Sequence, residues 1–98
     1  GEQAEVRFVS RDDLPWFEGH FPDTPILPGV AQVHMAARLA EEIWAARPAS
    51  YAVNRMKFRN VIRPDEVITL KLSFALGKGK LTFSFLRNEE TLSSGVIG

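Results

Sequence analysis

The sequence predicts an α+β domain in which a curved antiparallel sheet wraps around one long central helix. Three observations predict it. One segment, from Pro28 onward, carries a sustained helical pattern. The segments after it alternate apolar and polar residues and are separated by short turn sequences. A sheet with one apolar face must cover that face, and one apolar helix is the natural cover.

The elements follow in order. "EVRFVS" (Glu5–Ser10) alternates polar and apolar residues and reads as a strand. "RDDLPWFEGHFPDTPILPG" is irregular, because each proline removes a backbone donor, fixes φ and pushes its predecessor toward extended geometry. "PGVAQVHMAARLAEEIWAAR" is rich in Ala, Leu, Met, Glu and Arg and free of proline until Pro48, which predicts a helix from Gly29 to about Arg47. At about 100° per residue, Gln32, Val33, Ala36, Ala37, Leu39, Ala40, Ile43 and Trp44 spread over a broad, mainly apolar arc. His34, Arg38, Glu41 and Glu42 form a narrower polar stripe that faces water or a partner. "YAVNRMKFRNVI" (Tyr51–Ile62) reads as the next strand, with Arg55, Lys57 and Arg59 on one face. In "VITLKLSFAL", Ile68, Leu70, Leu72 and Phe74 point one way. "GKG" turns the chain, "KLTFSFL" repeats the pattern through Leu81, Phe83 and Phe85, "NEE" turns it again, and "TLSSGVIG" closes. Four strands joined by tight turns are thus expected after the helix.

The 98 residues suit a single domain over 1–98, small enough that burying further surface in an oligomer is favourable. Lys plus Arg equals Asp plus Glu at 12 each, which argues against general nucleic-acid affinity. There is no cysteine, so disulfides and thiolate metal sites are excluded; the two histidines lack a third ligand at a recognised spacing, so no metal and no cofactor are expected. No apolar run approaches the ~18 residues that cross a bilayer as a helix. No leader-like segment is read, Gly1 standing first reads as a trimmed chain or a fragment, and a cytoplasmic location is expected.

The stretch "GHFPDTPILPGVAQVH" concentrates three of the six prolines and both histidines. Gly19-His20-Phe21-Pro22, two residues, Pro25, two residues, then Pro28-Gly29 at the head of the helix resembles the 3-hydroxyacyl-[acyl-carrier-protein] dehydratase family of hotdog-fold proteins. "MKFRNVIRPDE" (Met56–Glu66) is similar to a later family feature, a "K-F" strand followed by "P-G-D", with Asp65 in place of the glycine. The resemblance spans about Glu5 to Ile97. It implies a hotdog fold, a homodimer with a site built from two chains, and acyl thioester substrates on acyl carrier protein or coenzyme A, as in fatty acid biosynthesis. It also implies that His20 removes the C2 proton of a 3-hydroxyacyl thioester. The Pro28-Gly29 turn would present a backbone N–H to the thioester carbonyl. The family's acidic residue, five positions after the glycine, is His34 in this chain.

These residue types suit the reaction. An imidazole has the pKa for α-proton removal. Amides at a helix start point at developing negative charge. The prolines hold His20 and Gly29 at a fixed separation and so lower the entropy cost of assembling the site. His34 as an imidazolium can protonate the departing hydroxyl, or it can bind that hydroxyl or a water; Arg38, one turn on, disfavours the cation, and Glu41 and Glu42 offset part of that. Phe21, Pro28, Val30 and Arg38 are expected to contact the substrate. Arg55, Lys57 and Arg59 read either as a solvated face or as an anchor for phosphopantetheine, coenzyme A phosphates or an acidic carrier surface. Two alternatives remain open at this point: an acyl thioesterase on the same fold, and a binding domain without turnover.

Overall fold

The computed structural model describes residues 2–10, 27–50, 52–75 and 77–98. Among them are the strands β1 (Glu2–Ser10), β2 (Val53–Phe58), β3 (Glu66–Ala75), β4 (Lys80–Arg87) and β5 (Glu90–Ile97), and one helix, α1 (Gly29–Trp44). The strands form one antiparallel sheet in the order β1-β3-β4-β5-β2. This is the hotdog arrangement that the sequence predicts.

The alternation read in the sequence sets the core. Ile68, Leu70, Leu72 and Phe74 of β3 and Leu81, Phe83 and Phe85 of β4 are all buried on the face toward the helix. Ala31, Gln32, Met35, Ala36 and Ala40 are the buried residues of α1. Three alanines on that face let the helix sit close to the sheet, and full burial of each large side chain contributes about 1.5–3 kcal/mol. The Phe8 ring meets Phe85 edge-on at 6.4 Å, and Trp44 lies 5.8 Å from Phe74.

The strands after the helix are not all joined by tight turns, as the sequence suggested. β3–β4 and β4–β5 are hairpins, but β2 pairs with β5 at the far edge of the sheet and never meets β3. The link from Arg59 to Asp65 crosses one end of the sheet instead. The N–H groups of Arg59 and Asn60 both donate to the carbonyl of Leu92, at 2.8 and 3.1 Å, which turns the chain out of β2 and ends that strand well short of Ile62. Ile62 is fully buried, and its carbonyl accepts the N–H of Leu27 at 2.8 Å. The Asp65 N–H then donates to the carbonyl of Ser10, while the Ser10 hydroxyl donates to the Arg63 carbonyl at 2.5 Å. Asp65 has φ 64°, the left-handed region that favours glycine, so the family's glycine at this point answers a backbone demand that Asp65 also meets. Beside it, burial pushes the Glu66 carboxyl up, but the Arg63 N–H at 2.8 Å and the Arg87 guanidinium at 2.6 Å outweigh this and hold it below its ordinary value.

Three further expectations are corrected. The helix stops at Trp44 and not near Arg47: Ala45 turns left-handed (φ 51°) and donates its N–H to the Glu41 carbonyl at 2.8 Å, with Pro48 close behind. And Arg55, Lys57 and Arg59 do not share one strand face. The β2–β5 register slips between Asn54 and Lys57 at a bulge where Arg55 takes φ 53°, and β2 ends at Phe58, so Arg59 lies beyond the strand and leaves its face. β1 begins earlier than expected, at Glu2.

Candidate active site at the start of the helix

Pro28 precedes α1 in an extended conformation (φ −69°, ψ 156°) and offers no side-chain cap. Its carbonyl accepts the first helical hydrogen bond, from the Gln32 N–H at 3.0 Å. The amides of Gly29, Val30 and Ala31 therefore have no acceptor within the helix. No acidic side chain stands in the first turn to neutralise the positive end of the helix dipole. An open groove of about 370 Å³ reaches this point, lined by Leu27, Pro28, Gly29, Gln32, Phe58 and Arg59 among others. The approach here is close: a Cβ on Gly29 would stand 2.5 Å from Cζ of the Phe58 ring, so the ring would have to withdraw to admit one. Phe58 itself is 58% exposed, an aromatic side chain laid over a helix start and largely open to solvent.

His34 lies on another groove. Five residues at about 100° each put it roughly 140° around the helix from Gly29. There it lines an open space of about 780 Å³ with Val30, Val33, Arg38, Glu42 and Val53. The Arg38 guanidinium is 3.6 Å from the Glu42 carboxylate, an exposed i,i+4 pair, so the cation next to His34 is partly neutralised. Val30 is 70% exposed and belongs to this second groove. Val53 stands on β2, one of the two edge strands, so the groove reaches that edge of the sheet.

The structure thus brings Pro28, Gly29 and Arg59 together, and separately Val30, His34 and Arg38. Arg55 and Lys57 join neither group. Both lie beside Thr82, Ser94 and Val96 around the bulge, on the sheet surface turned away from α1. His20 and Phe21 lie outside the described residues. The groups that hold the helix start in place were not singled out in the sequence: Phe58, and the buried pair Gln32 and Ser93. Gln32 carried a signal, since a polar residue inside an apolar helical arc needs a buried partner. Among the described residues, no cluster of three His, Cys, Asp or Glu could hold a metal ion, and no helix is long and apolar enough to cross a membrane.

A family model described as the ApeI dehydratase matches residues 1–96. The chain belongs to the ApeI-like dehydratase family. A solved structure described as the dehydratase heterocomplex ApeI:P from Xenorhabdus doucetiae is similar over 97% of this chain and 84% of that one, with a TM-score of 0.83 and 33% identity. An uncharacterized protein from Erwinia carotovora subsp. atroseptica is similar over 97% of this chain and 80% of its own, with a TM-score of 0.80 and 37% identity. Among curated relatives, the 3-hydroxyacyl-[acyl-carrier-protein] dehydratase FabZ of Caldicellulosiruptor saccharolyticus is 34% identical over 80 residues, 69% of this chain and 57% of that protein. The corresponding enzyme of Acetivibrio thermocellus is 33% identical over 93 residues, 85% of this chain and 64% of its own length. The chain thus spans between about half and two thirds of the curated relatives it matches.

Proposed function

We propose that this ApeI-like chain removes water from 3-hydroxyacyl thioesters, carried on acyl carrier protein or coenzyme A, to give the 2-enoyl thioester. The observation that carries the reading is the match of residues 1–96 to a dehydratase family, with the family's Pro-Gly turn at an uncapped helix start. In this reading the His20 imidazole takes the C2 proton. The C2–H electron pair flows toward the thioester carbonyl, and the Gly29 N–H, assisted by the helix dipole, stabilises the oxygen as charge develops. The pair then returns to form the C2–C3 double bond as the C3–O bond breaks. The His34 imidazolium gives its proton to the departing hydroxyl, so water leaves. The proton held by His20 and the one lost by His34 are restored through solvent.

We further propose that the working site joins two chains across β2. The support is geometric: Gly29 and His34 open onto different grooves of one chain, and the His34 groove runs out to an edge strand that exposes Val53 and Phe58. A second copy paired along β2 would satisfy the free backbone groups of that edge. The cytoplasm, where carrier-linked acyl groups are handled, is the compartment this reading expects.

The test is complementation. His20→Ala and His34→Ala variants are each expected to lose dehydration. When they are mixed and allowed to exchange subunits, half of the dimers are mixed, and each mixed dimer holds one intact site. About one quarter of wild-type activity should therefore return. Full activity in either single variant removes that histidine from the mechanism. A mixture that stays inactive despite exchange refutes the two-chain site.

A further inference from the structure

The helix start is braced by a buried polar chain that reaches across the core to the sheet. Gln32 is 3% exposed and Ser93, on β5, is 1% exposed. The Ser93 hydroxyl donates to Gln32 Oε1 at 2.5 Å. Gln32 Nε2 in turn donates to the Leu27 carbonyl at 2.9 Å. The peptide N–H of Leu27 is held at the same time, by the Ile62 carbonyl at 2.8 Å. Leu27 is thus fixed through both of its backbone polar groups immediately before Pro28 and Gly29, once to the link that crosses the sheet end and once, through Gln32, to β5.

Such an arrangement is not needed to bury the helix. Apolar residues at positions 32 and 93 would pack against the core with no polar group to satisfy, and buried polar groups are tolerated only when every bond is made. Here, among the described residues, every buried side-chain nitrogen and oxygen has a partner. What the chain of bonds adds is direction. Apolar packing alone leaves the start of a helix free to shift along a sheet, whereas Leu27 held at its carbonyl and its amide fixes it. The residue so fixed is two positions before the amide that meets the thioester oxygen in the reading above.

We infer that Gln32 and Ser93 are positioning residues for the reaction: they set the place of the Gly29 N–H without touching the substrate. This rests on the dehydratase reading, so the experiment separates the two. Gln32→Met keeps length and volume but removes both hydrogen bonds, Ser93→Ala removes one, and Ser93→Thr keeps the hydroxyl. Hydrogen exchange in the whole chain, followed at the Leu27 amide, reports the brace. Steady-state dehydration of a 3-hydroxyacyl thioester reports its use.

In Gln32→Met the Leu27 amide should exchange at least about tenfold faster while amides of β3 do not change. In the same variant kcat should fall about ten- to a hundredfold, with KM within about threefold, because the amide is displaced from the transition-state oxygen more than from the ground state. Ser93→Ala should follow in the same direction with a smaller fall, about three- to tenfold, and Ser93→Thr should recover it. Ser93→Ala also carries the test if Gln32→Met does not fold. A Leu27 amide that exchanges at the wild-type rate in both variants overturns the brace. Faster exchange with unchanged kcat overturns its role in positioning. A wild-type chain that dehydrates no 3-hydroxyacyl thioester overturns the reading above and the positioning role with it, and the exchange comparison still decides whether the brace exists.

Discussion

Replacing Gly29 by alanine separates the packing of the helix start from its chemistry. The added Cβ would lie 2.5 Å from Cζ, 3.0 Å from Cε1 and 3.4 Å from Cε2 of Phe58. The ring must therefore withdraw by roughly 1 Å to restore van der Waals contact. Because Phe58 is 58% exposed, only about 80 Å² of it is covered, and stripping the ring entirely would cost about 2 kcal/mol. A 1 Å withdrawal forfeits a fraction of that, about 0.5 kcal/mol, and the better helix propensity of alanine offsets a similar amount. The variant should unfold within about 4 °C of wild type. Turnover should not survive as well. The methyl group projects into the groove by which a thioester reaches the amide, and a displacement on the ångström scale there lowers kcat/KM by about tenfold to a hundredfold. Thermal unfolding and steady-state dehydration measured on the same preparation check both halves. In a Phe58→Ala background, Gly29→Ala should cause no further Tm loss, because the clash has gone, but should still lower turnover. A Tm loss above about 8 °C would show that Phe58 is not the yielding partner, and full activity would show that no substrate atom comes near Gly29.

Other consequences concern the frame around the site. Gly95 pairs with Phe83 across β4 and β5, and a Cβ there would meet Met56 Sδ at 2.6 Å and the Phe83 ring at 2.9 Å. Phe83 is buried and cannot yield as Phe58 does, so Gly95→Ala should destabilise by about 1–3 kcal/mol in denaturant unfolding, and a variant as stable as wild type would contradict the packing described. Glu66 is held below its ordinary value of 4.5, so the stability it contributes is fully present above that pH and is lost as pH falls through its lower, folded-state value. Arg87→Met should lower Tm at neutral pH, with the gap to wild type closing in acid; a gap that stays constant from neutral pH into the acid range would mean that the Arg87–Glu66 pair is not responsible.

Much of this could be read from the sequence because it is local. The period of two in Ile68–Phe74 and Leu81–Phe85 specifies which face of each strand is buried, and the proline-free run after Pro28 specifies the helix. What could not be read is what depends on partners distant in the chain. Nothing within "YAVNRMKFRNVI" says that this strand pairs with β5 and lies at an edge, since that choice is made by Leu92 and Ser94, more than thirty residues on. The bulge at Arg55 and the end of β2 are of the same kind: the alternation of Arg55, Lys57 and Arg59 is real in sequence, yet the strand stops at Phe58, where the Arg59 and Asn60 N–H groups turn to Leu92, so Arg59 lines the groove at the helix start while Arg55 and Lys57 stay on the outer surface. At the site, the Pro28-Gly29 turn and His34 were recognisable by spacing. Gln32 stands on the apolar arc in the sequence, but nothing local names its partners, Leu27 and Ser93. Phe58 was read only as one apolar residue of an alternating strand.

The central claim is that the chain eliminates water and leaves the thioester bond intact. The most direct measurement follows 3-hydroxyacyl thioesters of several lengths, on coenzyme A and on acyl carrier protein, by enoyl absorbance and by free-thiol titration in the same reaction. The account predicts that the 2-enoyl thioester forms and no thiol appears. Thiol release without an enoyl product would contradict it and make the chain a thioesterase, and binding without either product would leave it an acyl-thioester binding domain.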